Sequence, residues 1–198
     1  MLVRLTLATA CTPSGGPGLK YKALGDVLIS LTFGPLLVAF AYATQAGGLG
    51  WRPLLTALPI TMHIEAILHA NNQRDSAEDL AQGVCTLASR LGEKRSTRLY
   101  EGLLALPYLA PLYLASRHSL LALLPLATAP AAKRLAADFR DGRLVDLPKR
   151  TAKFQFLFAS LFVVGLLVPS PSLAALGSTL AGAGARGWRT LRALLRAL

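Results

Sequence analysis

The chain has 198 residues, 53% hydrophobic and only 16% charged, with a mean hydropathy of +0.47. Its apolar residues arrive in long blocks instead of alternating stripes, which excludes an ordinary water-soluble domain and marks an integral membrane protein. The net charge of +11 and the high pI also fail to indicate a nucleic-acid partner, because the bases sit in loops between apolar blocks with no aromatic interleaving.

Residues 1–18 form a short apolar start with a single Arg4, followed by the breaker-rich loop Cys11-Thr-Pro-Ser-Gly-Gly-Pro-Gly18. The apolar start is too short to span a bilayer and carries no convincing cleavage pattern. Cys11 and Cys85 lack any CxxC spacing and read as ordinary small side chains. Residues 19–170 carry the main domain. It opens with Lys20, Lys22 and Asp26 at a membrane boundary, where lysines either snorkel to the interface or meet an anionic headgroup or diphosphate.

A span needs ~20 mostly apolar residues. Five stretches are expected to cross: Val27 to Gln45, Pro53 to Ala70, Leu99 to Ser116, Ser119 to Ala136, and Phe154 to Val168. Pro35, Pro59, Pro107, Pro111, Pro125 and Pro130 fall inside them, so the expected fold class is an all-α transmembrane bundle of kinked helices. Most bases fall in the 71–98 and 133–153 loops, and the opposite loops hold only Arg52 and Arg117. The positive-inside rule therefore places the two basic loops together on the cytoplasmic side. Residues 171–198 end the chain as a basic tail. There Trp188, Leu191, Leu195 and Leu198 share one helical face and Arg189, Arg192 and Arg196 lie away from it, the pattern of an amphipathic helix at a membrane surface.

Chemistry concentrates where the second span runs into Asn71-Asn-Gln-Arg-Asp-Ser-Ala-Glu-Asp79. At about 100° per residue, Asn71, Asn72, Asp75 and Asp79 fall within an arc of roughly 100°, so two carboxylates and two amides face one way. Hard cations such as Mg²⁺ take oxygen ligands and are commonly held by one or two carboxylates plus substrate phosphates. A solvated helix end whose acids are balanced by Arg74 is the plainer reading of the same spacing. Within the span, Glu65 and His69 lie one turn apart at the edge of this arc, either lining a shared cavity or satisfying one another. From Leu80 to Gly92 the chain is too short to cross and reads as an interfacial helix or cap over the site.

At Asn71-Asn-Gln-Arg-Asp75-x-x-x-Asp79, followed by Gly83-x-x-Thr86-Leu87, the chain resembles the second aspartate-rich motif of the UbiA superfamily of membrane prenyltransferases, in the form found in its menaquinone branch. The resemblance continues through Gly18-Leu-Lys-Tyr-Lys-Ala-Leu-Gly-Asp26, Thr32-Phe-Gly-Pro35, Phe40-Ala-Tyr42, Glu65-Ala-Ile-Leu-His69, Leu106-Pro-Tyr-Leu109 and Leu147-Pro-Lys-Arg-Thr-Ala-Lys153. It covers about Gly15 to Pro169 and implies a nine-helix fold of which this chain holds the last five helices.

The resemblance also implies a chemistry: Mg²⁺-dependent ionisation of a polyprenyl diphosphate, such as geranylgeranyl diphosphate, followed by alkylation of a naphthoquinone or naphthoquinol acceptor in menaquinone biosynthesis. By position, Asp75 and Asp79 are the expected catalytic metal ligands, supported by Asn71 and Asn72. Lys20 and Arg74 are the expected diphosphate contacts, beside the cavity that Glu65 and His69 line in the first of the two readings above. An endoplasmic reticulum or Golgi membrane is implied ahead of a mitochondrial one, as is a possible partner membrane protein of isoprenoid or sterol metabolism.

Two departures qualify the resemblance. The family usually has Arg after the last motif aspartate, where this chain has Leu80, and no acid precedes Lys20 to form a first aspartate-rich motif. The expectation is therefore a shortened chain with little transfer activity by itself. The alternative is a non-catalytic isoprenoid-binding or regulatory membrane protein.

Overall fold

The computed structural model describes residues 25–168, 171–172 and 175–179. Among them every regular element is helical, as expected of an all-α bundle. Lys20, Cys11 and most of the basic tail lie outside the described residues.

The first span is built as α1 (Gly25–Leu31), a π-helical turn (Thr32–Leu36) and α2 (Leu37–Ala46). Pro35 has no N–H to give an α-helical ladder, and the wider π turn absorbs that loss without ending the helix. Beside it, Gly34 lies directly against the Thr61 side chain, so close that a Cβ at this position would overlap it. Gly47 then stops the helix in the left-handed region, φ 69°, its N–H bonded to the Ala43 carbonyl at 3.0 Å.

The central element is α3 (Trp51–Arg74), 24 residues and about 36 Å long. Pro59, His63, Ala66 and Ala70 repeat at intervals of four, three and four, and all are buried, so one face of this helix meets the rest of the bundle. In lipid, helices gain little from burying apolar area against one another and associate by close contact, which the fully buried Ala66 and Ala70 permit.

Beyond α3 come the short α4 (Ser76–Ala81) and α5 (Leu87–Leu91), and then α6 (Glu93–Ala105). Thr86 and Ser89 form a reciprocal capping box at the start of α5. The stretch from Leu80 to Gly92, expected as an interfacial helix or cap, holds the end of α4, a short connection and α5. Cys85 between them is buried.

The expected third span is divided at Pro107 into α6, a 3-10 turn (Leu106–Tyr108) and α7 (Leu109–Arg117). The fourth begins as a 3-10 helix (Leu120–Thr128) and continues as α8 (Ala129–Arg140). The fifth is α9 (Leu147–Leu167), whose buried Phe154, Phe158 and Phe162 form a ladder of rings 6.3 and 6.0 Å apart along its inner face. Gly165 extends that face, and a Cβ there would stand 2.6 Å from the Leu121 carbonyl oxygen, so glycine sets the closest approach of α9 to the 3-10 helix.

Helices stand at all five expected spans, but three are long and apolar enough to cross a membrane: Leu28–Ala46, Leu120–Arg140 and Leu147–Leu167. The other two differ for identifiable reasons. Helix α3 has the length but carries His63, Glu65 and His69, and proline breaks the third span into pieces of 13, three and nine residues. Large apolar side chains such as Phe40, Phe156 and Leu167 face outward, as they do on a surface solvated by lipid.

Candidate functional site

The site forms where α3 ends. Arg74 is its last residue, and Asp75 leaves helical geometry with φ −90° and ψ 2° before α4 begins at Ser76. The hydrogen-bond spacing nevertheless continues across the bend: the Asp75 N–H donates to the Asn71 carbonyl at 3.0 Å and the Asp79 N–H to the Asp75 carbonyl at 2.9 Å. Asn71, Asp75 and Asp79 therefore keep their four-residue relationship on a bent track, where a single straight helix is expected from the sequence.

Around Asp75 the side chains form a closed set. Arg74 Nε donates to Asp75 Oδ1 at 2.7 Å, and its terminal nitrogen donates to Asp75 Oδ2 and Asn71 Oδ1, each at 2.8 Å. Asn71 Nδ2 in turn donates to Asp75 Oδ2 at 3.2 Å. The Arg74 hydrogen bonds hold the Asp75 carboxyl below its ordinary carboxylate range.

Asp79 behaves in the opposite way. Partial burial, then the neighbouring Asp75 and Glu78 carboxylates, push it above the ordinary range. One acid is already matched by a cation, and the other sits in a negative field that no guanidinium offsets.

Behind this pair, the bundle holds the end of α3 in place. His69, fully buried, has Nε2 2.8 Å from Ser96 Oγ and 3.1 Å from the Ser96 carbonyl oxygen on α6, and Ser96 Oγ donates to Gln73 Oε1 at 2.5 Å. The His69 ring stacks on Phe139 with centroids 5.8 Å apart, and Phe139 stacks on Tyr100 at 4.3 Å. Two successive turns of α3 are thus anchored to α6 and α8 just before the acids. Glu65 faces elsewhere, accepting a hydrogen bond from Ser30 of α1. Neither Ser96 nor Gln73 was expected at the site. Gln73 lies within the motif, but Ser96 has no chemical pattern around it and stands 27 positions from His69 and 23 from Gln73.

Asp75 and Asp79 offer oxygen donors, as do the side chains of Asn71 and Asn72, and Asp79 stands in the field of the Asp75 and Glu78 carboxylates. This donor set suits a hard divalent cation that completes its shell with phosphate oxygens and water. Among the described residues no group of three or more His, Cys, Asp or Glu converges as a metal cage. Two carboxylates are the protein share typical of a magnesium diphosphate site, which draws its other ligands from the substrate.

Residues 6–166 match the pattern of the UbiA prenyltransferase family. The chain belongs to that family. Among UbiA relatives it is 47% identical to UbiA prenyltransferase domain-containing protein 1 of Rattus norvegicus over 161 residues, 81% of this chain and 48% of the relative. The Gallus gallus protein of the same name is 45% identical over 162 residues, 82% of this chain and 49% of the relative. Its Drosophila melanogaster homolog is 42% identical over 159 residues, 80% of this chain and 44% of the relative. The chain spans about half the length of the curated relatives it matches, in their C-terminal part. As a UbiA chain with lipid-facing apolar helices, it is an integral membrane protein.

Proposed function

We propose that this chain supplies the diphosphate-binding half of a prenyltransferase that moves a polyprenyl group, such as geranylgeranyl, from its diphosphate to a naphthoquinone or naphthoquinol acceptor in menaquinone (vitamin K) biosynthesis. The observation that carries the reading is the unequal pair Asp75 and Asp79 at the end of the central helix of a UbiA-family chain.

In this reading Asp75 and Asp79 hold Mg²⁺, with Asn71 and Asn72 as supporting oxygen donors. An ion held there would supply the positive charge that offsets the charge growing on the departing diphosphate. Arg74 has two roles in turn: it neutralises Asp75 while the site is empty of substrate, and it turns its guanidinium to phosphate oxygens when the diphosphate arrives. Lys20 is assigned to the same anion. The His69–Ser96–Gln73 chain holds the end of α3 at the depth where the allylic carbon meets the acceptor ring. The apolar bundle excludes water, so the allylic cation is captured by the aromatic ring instead of being hydrolysed.

The test is made in the protein at its full natural length. Asp75→Asn and Asp79→Asn should each abolish Mg²⁺-dependent prenyl transfer, measured by chromatography of the prenylated quinone. Full turnover in both variants would sink the metal-site assignment. An endoplasmic reticulum or Golgi membrane is the proposed location, checked by imaging the tagged protein.

The alternative reading is a non-catalytic membrane protein that binds isoprenoid or regulates a partner of isoprenoid or sterol metabolism. Isoprenoid-dependent association with a membrane partner, without turnover at the protein's full natural length, would select it.

A further inference from the structure

The opposite end of the bundle from Asp75 carries a cleft of about 980 Å³. Trp51 and Arg52 from the start of α3 line it, with Tyr113 and Arg117 from α7, His118 just beyond, and Gly165 of α9. All twelve lining residues come from segments 27–64, 102–137 and 147–198, and none of these segments contains a single Asp or Glu. Arg52, Arg117 and His118 make no ion pair among the described residues, whereas Arg74, Arg140, Arg143 and Arg150 at the other end are each paired with a carboxylate.

The remaining features of the cleft agree in sign and polarity. Arg52 Cζ stands 5.6 Å from the Trp51 ring centroid, a cation–π contact that positions the guanidinium without cancelling its charge. The first N–H groups of the 24-residue α3 open here, and Gly50 at its N-cap offers no side-chain acceptor. Trp51 and Tyr113 are 65% and 63% exposed at the rim, the aromatic pairing found where a protein meets the membrane–water boundary. The floor is apolar, with Leu55, Ala122 and Leu166.

We propose that this cleft binds the phosphate headgroup of an anionic phospholipid, Arg52 and Arg117 taking the phosphate oxygens and the apolar floor taking the adjoining acyl chain. Guanidinium groups suit this anion because their paired N–H donors match two phosphate oxygens. The rim aromatics hold the site at headgroup depth. This is a lipid site separate from the diphosphate site at Asp75, about the length of α3 away, and it stands on residues that the transfer reaction does not use.

Trp51 is its own reporter, because Trp188 is the only other tryptophan. The full chain carrying Trp188→Phe is reconstituted in phosphatidylcholine vesicles doped with brominated phosphatidylglycerol or, at equal mole fraction, brominated phosphatidylcholine. The expected result is stronger quenching of Trp51 by the anionic lipid, with the preference falling about fivefold for each of Arg52→Gln and Arg117→Gln.

Equal quenching by the two lipids overturns the proposal, as does a preference that survives the double substitution. Millimolar inorganic phosphate distinguishes the source of the anion. Preference retained in its presence supports a lipid ligand; preference abolished assigns the cleft to free phosphate and overturns the lipid. Circular dichroism of each variant confirms that the helical content is intact, and a variant that loses it is replaced by the Arg→Lys pair, which retains charge and should keep most of the preference.

Discussion

Arg74 grips Asp75 through both carboxylate oxygens, at 2.7 and 2.8 Å, while Asp79 four residues on is pushed toward protonation by burial and by that same Asp75. The two acids of one motif therefore stand in local fields of opposite sign. In the proposed metal site a cation would displace a guanidinium from one ligand and relieve repulsion at the other.

Competition between Arg74 and the metal gives the first expectation. Arg74→Gln should tighten Mn²⁺ binding about three- to fivefold, the scale of a partly exposed ion pair, and should still lower prenyl transfer because a diphosphate contact is lost. Electron paramagnetic resonance of Mn²⁺ titrated into the purified protein reads the first effect. Weaker binding in the variant would show that Arg74 orients Asp75 for the ion instead of competing with it.

The pH dependence follows from the directions of the two shifts. As pH falls, Asp79 takes a proton first, because its affinity is raised, while Asp75 stays ionised to lower pH. Metal affinity should therefore decline in a first step governed by Asp79. In Asp75→Asn, Asp79 loses the carboxylate that repels it, its pKa moves down, and that first step should move to lower pH. Mn²⁺ binding measured across a pH series checks the sign; a midpoint moving upward would contradict the coupling.

Packing between α9 and the 3-10 helix depends on Gly165. Its α-carbon faces backbone, with the Leu121 carbonyl oxygen and the Ala122 Cα 2.6 and 2.8 Å from where a Cβ would stand, so no side chain can swing away. Gly165→Ala should destabilise the protein by about 1–3 kcal/mol. A lowered thermal midpoint in detergent would report it. Gly102, which has open space around it, is the matched control, and alanine there should be neutral or slightly stabilising within a helix.

Tyr100 and Thr151 join α6 to α9 by a buried hydroxyl pair 2.6 Å apart. Tyr100→Phe should cost about 1 kcal/mol. The double variant with Thr151→Val should cost less than the sum of the two singles, since both polar partners leave together. A full unfolding cycle measures the coupling, and strict additivity would show that the bond contributes nothing net.

Much of the bundle was legible because helix faces are written in local spacing. Pro59, His63, Ala66 and Ala70 repeat on one face of α3, and Leu147, Thr151, Phe154 and Phe158 do the same on α9. Apolar blocks announced the membrane, and Asn71, Asp75 and Asp79 lay close enough in sequence for helical geometry alone to associate them. The bend at Asp75 was not legible, because neither proline nor glycine marks it.

The sequence by itself determined the membrane class, the places of the helices and the motif that carries the acids, since each depends on residues within a turn or two of one another. Only the tertiary structure decided that His69 is held by Ser96, that Glu65 accepts from Ser30, and that Arg52 and Arg117 share a cleft. Those pairings join residues 27, 35 and 65 positions apart, and a helix period carries no information about which face of a distant helix it will meet. That choice is made by packing, where small residues at Gly34, Ala66 and Gly165 let particular backbones approach and the polar groups then find one another.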